Sequence, residues 1–440
     1  MVKYYENTGD VMFEKYQKKL INFMIFMDLP KMKKSLPQDY QKLVKIQNRR
    51  IRALMKAAYK QPFYKERFDK AGVKPSDIRC AEDLAKLPLL TKDELRAWMK
   101  ELAKDPKYDE WYHDTTSGSS GEPLMLLMSP REKAYLMANW FRVLLVAGYD
   151  PFRGKTMSRK SAHSVTGGKD TILQRIGILR RYFLDQYAPE TEMIRQVNEC
   201  QPDFLYMNKT ELMRMCMYAA KNNIKVWQPK LFCPTGEKID EAARSVFFKV
   251  LGTNMIDSYG TAEAGACMVK LPGMDAHKIW HDSFVVNIHD DDGNLALEGK
   301  LACTPLFKKD LPLINYVVGD KVVSEFRDGE RFITGVQGRL NDAFKYETGE
   351  VTTFFEIAPI IAHCSDLIQI RFIQEDYHNV TVQAVFNEKE STRTIEEVET
   401  DLRAQLEAKF KHPFNITFEW KDNLPPDDNG KLRMIVSKVK

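Results

Sequence analysis

The run from Thr115 to Pro123, Thr-Thr-Ser-Gly-Ser-Ser-Gly-Glu-Pro, limits what this chain can fold into more than any other stretch. It holds two glycines and a row of hydroxyls but no bulky apolar side chain, so no packed element wants it. A loop that wraps a phosphate does. Glycine lets the backbone approach closely, and hydroxyls and N–H groups donate to anionic oxygens. No lysine or arginine lies inside the run, so it is not a Walker loop. A flexible Ser/Gly linker would sit between domains with polar flanks. Here the apolar stretch Leu124-Met125-Leu126-Leu127-Met128 follows at once, and a nucleotide-phosphate loop is the favoured reading.

On either side of this loop the pattern differs. Residues 1 to about 110 read as helical and charged, with a stripe of Leu43, Ile46, Ile51, Leu54 and Ala57-Ala58 that ends at Pro62. Thr91-Lys92-Asp93-Glu94 is a capping box that starts another helix. From the loop onward, strand and helix signals alternate, the mark of α/β layering. Ser129-Pro130-Arg131-Glu132 predicts a helix start. Asp203–Met207 predicts a buried strand, with Asn208 capping the next helix, and Leu231–Glu237 a strand running into a turn. Phe284–Ile288 and Leu301–Thr304 are strand-like around the turn Asp291-Asp292-Gly293-Asn294. Beyond Arg339 come Ile368–Ile373, Val380–Phe386, a helix begun by Thr394 and Glu397, and Asn415–Trp420, a compact β-β-α-β unit. The expected fold class is α/β: a large multi-layer N-terminal domain over 1–340, and a small mobile α+β domain over 341–440.

Four further segments follow the Ser/Gly loop in a recognisable order. They are Ser258-Tyr259-Gly260-Thr261-Ala262-Glu263, Ile314-Asn315-Tyr316-Val317-Val318-Gly319-Asp320, Gly338-Arg339-Leu340-Asn341-Asp342 and Asn429-Gly430-Lys431-Leu432-Arg433. The set resembles the adenylate-forming superfamily of acyl-CoA synthetases, peptide-synthetase adenylation domains and luciferases. It is most similar to the phenylacetate–coenzyme A ligase branch, with its relatives in capsule biosynthesis. The resemblance spans roughly residue 50 to the C-terminus.

The resemblance implies ATP-dependent activation of a carboxylic acid as an acyl-adenylate, with release of pyrophosphate, then transfer to a thiol. It implies ATP, Mg²⁺ and coenzyme A as ligands and a small carboxylic acid as substrate. An amine, an alcohol or a carrier protein is the alternative acceptor, and a nucleotide-binding homologue without catalysis is a third reading. By the same resemblance Thr116, Ser117, Gly118, Ser119, Ser120 and Gly121 cradle the β- and γ-phosphates. Tyr259 stacks on adenine within the Tyr259-Gly260-Thr261 motif, and Glu263 holds Mg²⁺, a metal that takes hard oxygen ligands. Gly236 and Glu237 flank adenine and substrate. Asp320 binds the ribose hydroxyls, and Arg339 the ribose or phosphates. Asn341 is the hinge to a lid domain, and Lys431 on a mobile turn bridges carboxylate and α-phosphate. The sequence departs from the family at Glu122, where lysine is common, at Asn315, where arginine is usual, and at Asn341, where aspartate is usual. Read without the family, Tyr259-Gly260 is a surface turn and Gly319-Asp320 a hairpin turn. Trp140, Phe141, Tyr206 and Cys233 are candidates for the acid pocket.

A second chemistry has to be weighed. His277 and His281 stand at i, i+4, and Cys267 and Cys303 lie on either side, so a Cys-His-His-Cys zinc set is chemically sensible. Pro272-Gly273 breaks any helix before His277, and paired core or surface residues are the favoured reading. No Ser-His-Asp order and no nucleophile elbow is present, because Gly118-Ser119-Ser120-Gly121 misses G-x-S-x-G by one position, which disfavours a hydrolase. The 66 basic and 61 acidic residues leave a net charge of +5, too mild to argue for nucleic acid. The start of the chain shows no secretory pattern, and the apolar run Phe23–Met27 is far short of a membrane span. It reads as one face of an amphipathic helix, with a peripheral membrane contact as a minor alternative. Seven scattered cysteines without a CxxC pair argue for a reducing cytoplasm. The sequence leaves the oligomeric state open, with a homodimer among the possible forms.

Overall fold

The computed structural model describes residues 39–115, 124–159, 177, 180–185, 188–239, 241–339, 343–353, 357, 360–361, 364, 366–388, 391–425 and 433–439. The apolar run Phe23–Met27 lies outside them, as do residues 116–123, 341–342 and 431.

Helix α1 (Tyr40–Ala58) opens on Asp39, whose carboxylate accepts from the Gln41 amide at 3.0 Å. Helix α2 (Pro62–Lys70) begins on Pro62, so the proline that ends one helix pattern starts the next. Helix α3 (Lys92–Leu102) is capped reciprocally by Thr91 and Glu94. Strands β1 (Tyr112–Thr115) and β2 (Met125–Met128) pair antiparallel. Helix α4 (Pro130–Val146) follows on the Ser129/Glu132 capping box. Then come β3 (Lys155–Arg159), β4 (Arg180–Leu184), α5 (Glu190–Cys200), β5 (Phe204–Asn208), α6 (Lys209–Lys221), β6 (Leu231–Thr235) and α7 (Glu241–Leu251).

The chain next forms β7 (Asp257–Thr261), β8 (Gly265–Lys270), β9 (His277–Ile279), β10 (Phe284–His289), β11 (Glu298–Pro305), β12 (Tyr316–Arg327) and β13 (Glu330–Arg339). It closes with β14 (Ala343–Lys345), β15 (Val351–Thr353), β16 (Leu367–Gln374), β17 (Asn379–Phe386), α8 (Ile395–Glu407), β18 (Asn415–Trp420) and β19 (Ile435–Ser437).

These elements fall into two compact units. The first takes the chain up to Asp150, Ser258–Val318 and Val322–Gly335. Here α1, α2 and α3 bury Ile51, Leu54, Phe68, Leu95 and Met99 in one core with Leu124, Leu126, Leu311 and Tyr316. Strands β7 to β13 belong to a seven-stranded sheet of order β10-β11-β12-β13-β9-β8-β7.

The second unit takes Pro151–Asp257, Gly319–Lys321 and Val336 onward. Its parallel sheet has the order β4-β3-β5-β6, and its core draws Met193, Val197, Leu212, Met215 and Phe247 from the helices onto Leu205, Met207 and Phe232. A second sheet in this unit, β18-β17-β16-β19, has a separate core of Phe344, Phe372, Val382, Val398, Leu402, Leu406 and Ile435. The α/β class and the β-β-α-β pattern read from the sequence are both present.

Two turns expected from the residues alone are strands instead. Tyr259-Gly260 lies within β7, and the turn falls at 262–264. Gly319-Asp320 lies within β12, where Gly319 takes φ +90°, and the hairpin comes at Asp328-Gly329. Glycine permits the positive φ inside the strand, so the dipeptide does not reverse the chain.

Candidate functional site

The Ser/Gly loop is carried on the β1–β2 hairpin, in which Asp114 faces Leu126 and Thr115 faces Met125. Thr116, Ser117, Gly118, Ser119, Ser120 and Gly121 themselves lie outside the described residues, as do Glu122, Asn341 and Lys431. What is described is the foot of the hairpin. Asp114 on β1 is salt-bridged to Lys133 on the first turn of α4.

Glu132, beside that lysine, does more than cap its helix. It is fully buried, its Oε2 accepts from the Ser129 amide, and its Oε1 accepts from the Asp310 and Leu311 amides at 3.0 and 2.9 Å. The carboxylate therefore straps the turn after β11 to the start of α4. Lys308 sits in that turn and is 2% exposed. Burial draws its ammonium below the usual lysine range. The carboxylates of Glu132, Glu263 and Asp114 oppose that, and the Lys133 ammonium adds to it. Burial likewise pushes the Glu132 carboxyl up, against the pull of Lys308.

Glu263 stands in the turn between β7 and β8, 7% exposed, and its Oε1 accepts the Tyr316 hydroxyl at 3.1 Å. The local sequence builds that turn. The Thr261 hydroxyl accepts from the Ala264 amide at 3.1 Å. A Cβ on Gly260 would meet the Gly265 carbonyl oxygen at 2.6 Å, so only glycine lets the two strands approach this closely. Tyr259, Gly260, Thr261 and Glu263 thus share one hairpin, in the unit that also holds the foot of the Ser/Gly loop. Tyr259 is half-buried, and its carbonyl faces the Cys267 thiol at 3.8 Å.

In the second unit, Gly236 and Glu237 follow β6 at the carboxyl edge of the parallel sheet. Glu237 accepts from the Thr210 amide and hydroxyl at the start of α6, with oxygen–oxygen distances of 2.8 and 2.9 Å. Asn208 occupies the cap position of α6 without a side-chain capping bond, and Glu237 supplies one from outside the helix. The Tyr206 hydroxyl donates to Thr235 at 3.2 Å along the same edge. The strand order 4-3-5-6 reverses between β3 and β5, and open sheets of this kind bind ligands outside the carboxyl ends at such a point. Asp320 on β12 and Arg339 at the end of β13 belong to neighbouring strands.

The four zinc candidates do not assemble. Among the described residues no group of three histidine, cysteine, aspartate or glutamate side chains is placed to hold a metal. The His281 imidazole lies 3.4 Å from Glu330 and edge-on to Tyr40, Cys267 and Cys303 are buried free thiols, and His277 is buried on β9. All four side chains are buried.

Asn315 is not simply an eroded motif position. Buried at φ +53°, it donates through its amide to the Leu84 and Leu87 carbonyls at 2.7 and 3.1 Å, tying β12 to the helical layer. A cleft of about 810 Å³ beside α2 includes none of the expected residues in its lining. Its cations Arg67, Lys70 and Lys86 are paired with Glu94, Glu66 and Asp83. Lys308, Asp114 and Lys133 were not singled out by the sequence reading, and Tyr316 entered it only as part of the Ile314–Asp320 segment, without a role. The one signal for Lys308 is the Lys308-Lys309-Asp310 run ahead of apolar Leu311, which reads equally well as a solvated turn.

A profile of the CapK C-terminal domain matches residues 345–438. Protein CapK of Staphylococcus aureus is 23% identical over 422 residues, covering 90% of each chain. The chain is similar to the adenylate-forming superfamily, and within it to the phenylacetate–coenzyme A ligase-like branch with its CapK relatives. Phenylacetate-coenzyme A ligase of Pseudomonas putida is 26% identical over 292 residues, 62% of this chain and 64% of that protein, so the match spans less than two thirds of the ligase. The adenylate-forming fold is also that of 2-hydroxyisobutyryl-CoA ligase, solved in its postadenylation state with a bound adenylate. That structure superposes with a TM-score of 0.72 at 15% identity, over 90% of this chain and 89% of that one. Among the described residues no helix is long and apolar enough to cross a membrane.

Proposed function

We propose that the protein joins a carboxylic acid to the α-phosphate of ATP and passes the acyl group to a thiol, with coenzyme A as the acceptor. The observation that carries the reading is the buried Glu263 carboxylate. It is set by Tyr316 on a glycine-tight hairpin, in the unit that holds the foot of the Ser/Gly loop. The relatives named above support it, because they include a phenylacetate–CoA ligase and a CoA ligase solved with an adenylate.

In this scheme the carboxylate oxygen attacks the α-phosphorus, the bond to the β-phosphate breaks and pyrophosphate leaves. The acceptor thiolate then attacks the acyl carbon and AMP leaves. Residues 116–121 hold the β- and γ-phosphates, Tyr259 stacks on adenine, Asp320 accepts the ribose hydroxyls and Arg339 contacts the ribose or phosphates. Gly236 and Glu237 flank the base and the acid. Lys431 bridges the carboxylate and the α-phosphate from a C-terminal lid over 341–440 that turns on Asn341. Glu263 would hold Mg²⁺. One hard carboxylate oriented by a hydroxyl suits a metal that fills its other positions with water and phosphate oxygens. Bound there, the ion would neutralise charge on the phosphates.

One observation favours a second acceptor. The match that spans nearly the whole chain is to protein CapK, whereas the phenylacetate–CoA ligase match covers 62%. An amine, an alcohol or a carrier protein as acceptor is therefore the second reading.

The test is acid-dependent exchange of labelled pyrophosphate into ATP across a panel of carboxylic acids, followed by trapping of the product with coenzyme A or hydroxylamine. Exchange with thioester formation supports the first reading, and exchange without it the second. No exchange with any acid overturns both.

A further inference from the structure

The carboxyl edge of the parallel sheet carries a tie that the scheme above does not use. Strands β5 and β6 end in register, with Asn208 facing Thr235 in the last pair. The two chains then part. One enters α6 at Lys209, and the other turns at Gly236, which is exposed and takes φ +87°. Two residues beyond the last pair they meet again. The Thr210 hydroxyl lies 2.8 and 2.9 Å from the two Glu237 carboxylate oxygens, and the Thr210 amide donates to Oε1 at 3.4 Å. Thr210 is buried, and the Tyr206 hydroxyl holds the start of the same turn through Thr235 at 3.2 Å. A helix start needs acceptors for its first amides, and an asparagine at the cap position is the usual local source. Asn208 makes no such bond, and the acceptor comes from a glutamate 27 residues beyond Thr210. A local cap would serve α6 equally well. Only the distant one also fixes the 235–237 turn, which hinges on a glycine at positive φ.

We infer that Thr210 is a positioning residue for nucleotide binding. It acts through the Glu237 carboxylate, holding the turn that carries Gly236 and Glu237 against the start of α6 before any ligand arrives. The inference rests on the place given to Gly236 and Glu237 beside the base in the function proposed above. A contact set in advance spares the ligand the cost of ordering it. Without the Thr210 hydroxyl the turn has to be ordered on binding, so affinity falls although no group that meets the nucleotide has been removed.

The experiment is calorimetric titration of the full chain with Mg²⁺-ATP. Thr210→Val keeps the shape and the amide but deletes the hydroxyl, and its dissociation constant is expected to rise roughly tenfold, the scale for one hydrogen bond to a charged group. Thr210→Ser returns the hydroxyl and is expected to bind like the wild type. In a Glu237→Ala background, Thr210→Val should cost nothing further, because its partner is already gone. A purely structural threonine would lower the melting temperature of Thr210→Val and leave its dissociation constant where it was, which overturns the inference. An equal loss from Thr210→Val with and without the Glu237 carboxylate overturns it too, since the hydroxyl then acts by another route. Should Thr210→Val fail to fold, Glu237→Gln is titrated in its place. That variant keeps the length of the side chain and removes the charge that draws the hydroxyl, and an unchanged dissociation constant there overturns the inference. A wild-type chain that binds no Mg²⁺-ATP overturns the nucleotide reading itself, and the inference falls with it.

Discussion

The Tyr316 hydroxyl and the Glu263 carboxylate meet at 3.1 Å, although 53 residues separate them. A hydrogen bond to a charged group contributes about 1.5–3 kcal/mol, more than a neutral one. Tyr316→Phe keeps the ring in its apolar surroundings and deletes only the donor. Its Mg²⁺-ATP dissociation constant should rise by roughly tenfold, with little change in melting temperature. Calorimetry on the two proteins checks this, and equal affinities would remove Glu263 from the nucleotide site.

Gly260→Ala should destabilise the protein by about 1–3 kcal/mol, because the new methyl meets backbone that cannot step aside. Its Cβ would lie 2.6 Å from the Gly265 oxygen and 2.7 Å from the Ala266 Cα. Gly335→Ala is the internal control, since its Cβ would reach only the Val323 side chain at 3.8 Å. Urea midpoints of the two variants should separate clearly, the first shifted down and the second close to the parent.

Asp282→Ala should cost about 3–5 kcal/mol, the range for breaking a buried ion pair on one side. Both Asp282 oxygens lie 2.9 Å from Arg142 Nη1, and the guanidinium covers the Trp280 ring at 3.9 Å. The substitution leaves a fully buried guanidinium without its carboxylate. Adding Arg142→Met should return part of the loss, because the charge that needs a partner is gone. A double variant no more stable than the single one would show that the cost lies in packing.

Asp366 gives the C-terminal sheet a pH dependence. The Arg393 guanidinium and then the Ser391 hydroxyl bond to it and hold its carboxyl below the usual aspartate range. A depressed carboxyl stabilises the fold above its unfolded value, about 3.9, and that contribution fades as pH falls through the lower folded value. Asp366→Asn should therefore cost about 1 kcal/mol at pH 7, a figure kept small because Arg393 is partly exposed. The gap between variant and parent should narrow below pH 4. Urea unfolding at pH 7 and pH 3 measures it, and a gap that widens in acid would mean that Asp366 folds protonated.

Local signals carried most of what the sequence predicted. The three capping boxes at Thr91, Ser129 and Thr394 form as written, because each needs only four consecutive residues. The C-terminal unit was legible for the same reason, since alternation and a helical stripe are short-range patterns. Glu263 was found through its motif, while Lys308 was missed. A lysine beside another lysine and an aspartate looks solvated until one knows that Glu132, far away in sequence, pulls its turn inside. Asn315 shows the converse. The family comparison marked it as a loss, and only its left-handed backbone and two carbonyl partners show that it has a place of its own. Tyr259-Gly260 and Gly319-Asp320 were open to a turn reading because a dipeptide does not say which side of a strand end it occupies.

The strap made by Glu132 also bears on the order of folding. Its bonds to Asp310 and Leu311 close a loop of 178 and 179 residues. Such contacts are entropically slow to form, whereas the cap on Ser129 is made within one helical turn. During refolding α4 should gain its start early, with Glu132 waiting for the distant turn. The turn that carries Lys308 would then be among the last parts of the unit to close, and a ribosome-bound chain not yet past Leu311 would have the helix without its distant tie.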